Sequence, residues 1–492
     1  MSALSSPERF PLSTFPPEHM GISSASILRF LKRLEASRLC MHSFVLVRHG
    51  AIACEGYWAP YTAESLQRMY SATKSFVGVA VGLLAQDGYI RLDDPVISYF
   101  QDKVIKQPHP YTEQMTVRDL LRMSTVHTRT ATQIVPHPDL LKAFFNVTPS
   151  HRPGTVFNYD TGASVVLSAL VERCTRMPLL EYLRMKALGK MGFSDEAYCQ
   201  KIGSVSHGGS GLLCTAHDLA KFALLCMQQG NWYGFQLVPK DYMRMATSKQ
   251  IDTRFAQPGH GAFGYGYQFW RTDHDGFAMF GMGGQLAICL PKENLILVTT
   301  ADVMENPGGV DLIFQAFWDT IYKELQGDSI PEDPEDAALL YEKLQTLRVR
   351  HVEGDADSPI ARRIGGRRFL LDDNPSVYRE ISVGFGPNYG TLEYVTESGS
   401  HEIRFGFGHN EHQIFPEPSL ECLASGAWAD PSTLFIRVYI VDQNLGSLQL
   451  QLHFEEDGSL TLSSRTYGDS LLVGMDACVT GYADPTAGED FE

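Results

Sequence analysis

The sequence predicts an α+β fold: an antiparallel sheet flanked by helices with a helical subdomain, followed by a small all-β barrel or sandwich. Three observations carry this. Over residues 23–325 the element order runs strands, then helices, then strands and a helix, which suits a layered antiparallel sheet rather than alternating βαβ units. From Arg368 to the end only short alternating segments remain, such as Leu434–Val441 and Leu448–Phe454. Between these regions the texture becomes acidic and Pro-containing, at Gln326–Asp336 and again at His351–Pro359. The expected organisation is an arm at 1–22, a first domain at 23–325, a linker with a short helix at 326–360 and an all-β domain at 361–492.

Composition bounds the function. The 492 residues, 44% hydrophobic and 20% charged, suit two or three domains with a large core. A net charge of −16, from 57 acidic against 41 basic residues, argues against nucleic acid or an anionic membrane as the main partner. The nine cysteines are scattered and form no Cys-x-x-Cys, so neither a metal site nor a disulfide framework is expected. The N-terminus shows no basic-then-apolar leader, and no apolar run reaches membrane-spanning length. A soluble cytoplasmic protein is the expectation.

The elements follow in order. Residues 1–22 are Pro- and Ser-rich and read as an irregular arm. Ile27, Leu28, Leu31 and Leu34 recur at helical spacing within Ser24–Ala36. Ser43–Arg48 and Ala51–Tyr57 read as a hairpin turning at His49-Gly50. An apolar run through Val77–Leu84 reads as a buried helix ended by Asp87-Gly88. Thr116 and Asp119 have capping-box spacing. A turn-rich loop, Arg152–Gly162, leads into a helix over 163–173. Gly208–Gly211 reads as flexible, and Thr215 caps a helix over Leu219–Met227, with Asp218 completing the cap. Strands are expected at Tyr265–Trp270, at Phe280–Leu290 and at Asn294–Thr300, and a helix at Val310–Glu324. A short helix over Ala337–Leu347 falls in the linker, and the tail from Ala483 reads as loose.

The chemistry concentrates at Tyr70-Ser71-Ala72-Thr73-Lys74-Ser75-Phe76. If this opens the helix, Ser71 and Lys74 share a face, at positions i and i+3. A Ser hydroxyl needs a neighbouring base before it becomes a nucleophile. An amine serves when burial depresses its pKa. Ser71 would also lie in the first turn, where free N–H groups stabilise negative charge. Lys74 precedes a nearly all-apolar segment, and a buried Lys needs a partner or a function. His127, His151 and His207 read as ordinary histidines near loops. Tyr265, Tyr267, Phe269 and Trp270 could wall a pocket or simply pack a sheet.

Ser71-x-x-Lys74, Tyr159 on a loop before a helix, and a Gly-rich strand at Gly281–Gln285 stand in an order that resembles the serine β-lactamase and penicillin-binding (DD-peptidase) superfamily. The branch it is most similar to is that of class C β-lactamases, family VIII-type esterases and 6-aminohexanoate-dimer hydrolase. Leu46-Val47-Arg48-His49-Gly50, Thr116–Thr125 and Gly208–Phe222 extend the resemblance across roughly residues 20–325. It implies that Ser71 forms an acyl-enzyme, that Lys74 and Tyr159 move its proton, and that the backbone N–H groups of Ser71 and Gln285 form the oxyanion hole. It also implies substrate contacts at Thr161, Met282, Gly283 and Gly284, with no cofactor and no metal. The sequence departs from the family twice. Thr161 stands where the second motif usually ends in Asn, and Met282-Gly283-Gly284 replaces a third motif that usually begins with Lys or His. The missing cation favours a neutral ester or amide over a carboxylate-bearing substrate.

The expectation is a serine hydrolase of small esters, amides or peptides, with no nucleic-acid or membrane partner. β-Lactamase or DD-peptidase activity is one alternative. A non-catalytic binding or regulatory protein that keeps the fold is another. A third gives the main role to the C-terminal domain, as a carbohydrate- or peptide-binding module.

Overall fold

The computed structural model describes residues 12–129, 138–257, 259–469 and 471–485. The first eleven residues of the expected arm and the last seven of the expected loose tail lie outside the described residues. The chain divides into two units. The first takes Met1–Ala301 and Gly308–Leu347, the second Asp302–Pro307 and Arg348–Glu492.

The first unit is built on a six-stranded sheet. Its strands are β1 (Cys40–Arg48), β2 (Ala51–Tyr57), β3 (Trp270–Arg271), β4 (Phe277–Gly281), β5 (Gln285–Leu290) and β6 (Leu295–Asp302), in the order β3-β4-β5-β6-β1-β2. The β1–β2, β3–β4, β4–β5 and β5–β6 ladders are antiparallel. The N-terminal hairpin therefore docks on a strand some 250 residues later, and Ser43 Oγ lies 2.6 Å from Thr300 Oγ1 across that seam. The described part of the arm is not loose. Phe15 N donates to Ile52 O and Ile52 N to Ser13 O, which ties the arm to β2.

The main helices of this unit are α1 (Ser24–Ala36), α2 (Thr73–Gln86), α3 (Thr161–Thr175), α4 (Ala216–Met227), α5 (Gly309–Phe317) and α6 (Pro334–Gln345). α1 begins where Ser23 accepts from Ser26 N, and it buries Ile27, Leu28, Leu31 and Leu34. α2 is buried at every position from Thr73 to Leu84. Two glycines make that possible. A Cβ on Gly82 would stand 2.3 Å from the Tyr242 ring, and one on Gly78 would stand 2.7 Å from Tyr267 O. Capping boxes form at Thr116/Asp119 and Thr215/Asp218. α6, expected in the linker, packs against α1 inside the first unit.

Three expectations are corrected. Tyr265–Trp270 is not a continuous strand; only Trp270–Arg271 joins the sheet, and Tyr265 makes isolated bridges to Ile251 and Trp270. The segment is pulled out of the sheet by contacts such as Tyr267 N to Ala246 O, and Gln268 adopts φ 67°. Phe280–Leu290 is two strands, because Gly283 and Gly284, at φ 78° and 100°, turn the chain between β4 and β5. Gly208–Gly211 is packed rather than flexible. A Cβ on Gly208 would meet Ser168 Cβ at 2.5 Å.

The second unit is a barrel. Its strands are β7 (Arg368–Leu371), β8 (Glu380–Phe385), β9 (Tyr389–Thr396), β10 (Gly399–Gly406), β11 (Glu411–Phe415), β12 (Leu420–Asp430), β13 (Thr433–Ile440), β14 (Gly446–Phe454), β15 (Ser459–Gly468) and β16 (Ala477–Ala483). They run β10-β9-β8-β7-β16-β15-β14-β13-β12-β11, and β10 also meets β12 at Gly406–Ser425. That bridge closes nine strands into a ring, with β11 outside it. Of the two all-β architectures expected, the barrel is the one formed. Closure removes the open edges that a flat sheet would expose. Alternate residues such as Leu448, Leu450 and Leu452 fill its core.

Candidate active site

Ser71 lies in a 3-10 turn, Tyr70–Ala72, that runs directly into α2. Tyr70, at φ 43°, is a bulky residue in the left-handed region. Such outliers cost about 1–3 kcal/mol and persist only where surrounding packing imposes them. Here the Tyr70 ring is buried beneath the Arg68 guanidinium, 4.6 Å from its centroid. The turn leaves Ser71 half-buried, with its hydroxyl on the face shared with Lys74.

Lys74 is 1% exposed. Its Nζ donates to Ser71 Oγ at 3.0 Å and to Gly209 O at 2.6 Å. Burial pushes its ammonium down to about 7, opposed by the negative charge of Asp160. At neutral pH a substantial share of Lys74 is therefore free base, hydrogen-bonded to the hydroxyl it would deprotonate. The Gly209 carbonyl reaches Nζ because Gly209 has no side chain. A Cβ there would lie 2.4 Å from Thr161 Cγ2. Thr161 opens α3 and thus sits beside the carbonyl that holds Lys74.

Tyr159 comes from the loop before α3. The Lys74 Nζ stands 4.9 Å from its ring centroid. Burial pushes the phenol up to about 12, while hydrogen bonds to Ser71 and Trp270 pull it down. The ring stacks on Trp270 at 5.3 Å and meets Tyr265 edge-on at 6.3 Å. Phe157 and Phe280 extend this aromatic wall from Trp270. Of the four aromatics weighed from sequence, Tyr265 and Trp270 join Tyr159. Tyr267 instead accepts from Arg118, and Phe269 packs on Phe277.

The third motif is the turn between β4 and β5. A Cβ on Gly281 would lie 2.3 Å from Met69 O, so this turn presses against the segment that delivers Ser71. Met282 is half-buried and Gly283 and Gly284 are buried. The Gln285 side chain is fully buried and braces the turn, with Nε2 donating to Met282 O at 2.9 Å and Ala301 O at 2.6 Å.

Two polar groups lie behind Tyr159: Asp160, which the sequence reading did not single out, and His127, which it read as an ordinary histidine. Asp160 is 0% exposed, and its Oδ1 accepts from Gly162 N at 2.8 Å. His127 is buried with Nδ1 3.8 Å from Asp160 Oδ2. The available signal for Asp160 was an ionisable residue wedged between Tyr159 and an apolar helix. For Gly209 there was none, since glycine positions in loops are common. His217 pairs with Glu55 and Tyr57, not with this cluster, and Asp218 serves as a cap. His151 bonds Ser150 Oγ at 2.7 Å.

The arrangement can deliver an alcohol to a carbonyl carbon, with an amine in hydrogen-bond reach and a phenol beside both. Comparison with known proteins gives the family. A family model described as Beta-lactamase matches residues 39–316. An uncharacterized protein of Alkalihalophilus pseudofirmus is 23% identical over 318 residues, covering 57% of this chain and 89% of its own length. Protein flp of Staphylococcus aureus N315 is 21% identical over 265 residues, 47% of this chain and 52% of flp, so the match spans about half of that relative. A proposed 6-aminohexanoate-dimer hydrolase from Bacillus anthracis has a TM-score of 0.50 at 20% identity, over 69% of this chain and 87% of its own, a likeness of fold.

Proposed function

Because the chain belongs to the β-lactamase family, we propose that it is a serine hydrolase of carboxylic esters or amides acting through an acyl-enzyme on Ser71. The observation that carries this reading is the buried Lys74 amine donating to the Ser71 hydroxyl with Tyr159 alongside. Ser71 Oγ attacks the carbonyl carbon. Its proton passes to the Lys74–Tyr159 pair and then to the leaving alcohol or amine, completing the acyl-enzyme. The same pair takes a proton from water, which attacks the acyl carbon and releases the acid. The oxyanion would be held by the backbone N–H groups of Ser71 and Gln285, each donor worth about 3 kcal/mol in the transition state. Trp270, stacked on the Tyr159 ring at 5.3 Å, would help hold the phenol in place.

Met282 brings no charge to the position where the family usually has a cation, and the wall beside Tyr159 is aromatic. Both features favour an uncharged, apolar acyl group. Thr161, Met282, Gly283 and Gly284 would contact it. Purified protein incubated with a fluorophosphonate probe, then offered p-nitrophenyl esters, anilides and nitrocefin, tests the proposal. Labelling at Ser71 with ester turnover well above nitrocefin turnover is expected. Comparable nitrocefin turnover would place it with the β-lactamases, and no labelling would leave a binding protein on a hydrolase scaffold. Retention of full activity by the first domain alone would remove any catalytic role for the barrel.

A further inference from the structure

We propose that Asp160 is a positioning residue of this site, a buried carboxylate behind Tyr159 whose charge sets the pH at which the Lys74–Tyr159 pair accepts the Ser71 proton. The inference rests on the hydrolase reading of Ser71, Lys74 and Tyr159 given above.

Asp160 caps α3 with one oxygen only. Oδ1 takes the Gly162 N–H, while Oδ2 has no hydrogen-bond partner among the described residues. The other buried acidic caps of this unit are saturated. Asp119 accepts from Thr116 N and Oγ1 with Oδ2 and from Arg122 with Oδ1. Asp218 accepts from Thr215 N with Oδ2 and from Ser194 N with Oδ1. A cap alone needs no second oxygen, since Ser, Thr or Asn serves. Burying a carboxylate with an idle oxygen is costly, and the cap by itself does not require it.

Among the described residues, the titratable groups facing Asp160 are Lys74 from α2 and His127 from the loop after Val117–Leu121, with Tyr159 its chain neighbour. His127 is held edge-on against Phe144 at 4.9 Å, and neither of its ring nitrogens has a hydrogen-bond partner among the described residues. His151 faces His127 in turn. The carboxylate therefore acts on the pair through the buried interior. A nearby negative charge opposes proton loss both from an ammonium and from a phenol. The direction of the effect is thus the same whichever member takes the Ser71 proton.

The test is the pH dependence of Ser71 labelling and of ester kcat/KM. Asp160→Asn keeps the helix cap and removes the charge. The acid limb of both profiles should move to lower pH by about one unit or more. Asp160→Ser, a second capping residue, should move it the same way, and Asp160→Glu, which restores the charge, should bring it back toward the wild-type position. Uniformly lower activity with an unmoved limb would reduce Asp160 to a cap and overturn the proposal, as would a limb that moves upward. Wild-type protein labelled at no pH would remove the hydrolase reading and this inference with it. Labelled wild type with an unmoved variant limb removes the inference alone.

Discussion

Two buried clusters, one in each unit, hold their ionisable groups in opposite ways. In the barrel unit, Glu305 is nearly inaccessible, yet both of its oxygens are used. Oε1 accepts from Tyr439 Oη at 2.9 Å, and Oε2 takes the Gln449 amide and faces Arg437 Nε at 3.3 Å. In the first unit, Lys74 is held by two neutral oxygens, Asp160 keeps one oxygen idle, and His127 has no partner for either nitrogen among the described residues. A buried group that builds structure is saturated, because an unpaired one costs several kcal/mol. A buried group that does chemistry must exchange a proton, so its neighbours leave it under-satisfied, and for Lys74 burial moves the ammonium toward neutrality.

The largest effect expected from this contrast is on activity. Ser71→Ala should abolish fluorophosphonate labelling and lower ester turnover by at least about 10³-fold, and Lys74→Ala and Tyr159→Phe should each come close to it. Combining the last two should add little, measured as kcat/KM in the double variant, since they act as one unit. Fully multiplicative losses would mean that they act separately.

Next comes stability in the barrel. Arg437→Met strands a buried Glu305 and should cost about 3–5 kcal/mol in denaturant unfolding. Ser71 labelling should persist in the folded fraction.

Lys74→Met should do the reverse. The folded Lys74 holds its proton less well than the unfolded chain, with about 7 against an ordinary value of 10.5. Its burial therefore weighs fully against folding below about pH 7. Between the two values the folded form is deprotonated while the unfolded form is not, so this contribution to stability rises with pH, and the penalty vanishes above the upper value. The inactive variant should be more stable than wild type at pH 6–7 by thermal unfolding, as an order-of-magnitude guide about 2 kcal/mol or more, with the gap narrowing toward pH 10. A destabilised Lys74→Met at pH 6 would show that the amine is a structural group like Arg437.

The smallest effect concerns specificity. Met282→Lys returns a cation to the third motif. It should lower KM for carboxylate-bearing substrates such as nitrocefin several-fold, leave KM for a neutral p-nitrophenyl ester within about twofold, and so erode the preference for uncharged substrates proposed for Met282.

Much of the fold was legible because local rules wrote it. α1, the first hairpin, the capping boxes at Thr116 and Thr215 and the barrel strands follow from periodicity and caps, and the structure has them at nearly the expected positions. The misreadings share a cause. Tyr265–Trp270 looks like a strand and Phe280–Leu290 like one continuous strand, but backbone contacts with Ala246 and the Gly283-Gly284 turn override the alternation. Gly208–Gly211 reads as flexible because composition cannot show that something is packed against a glycine.

The site divides in the same way. The Ser71–Lys74 spacing, the helix that buries it and the resemblance in motif order were all in the sequence, because neighbours along a helix are fixed by its 3.6-residue turn. Only the tertiary structure brought Tyr159, Trp270, Gly209, Asp160 and His127 to that helix. Apart from Trp270 on β3, they come from loops whose paths depend on what packs beside them. The depth of burial that turns an ordinary Lys into a base near neutrality is a property of the surroundings, and no local pattern of residues encodes it.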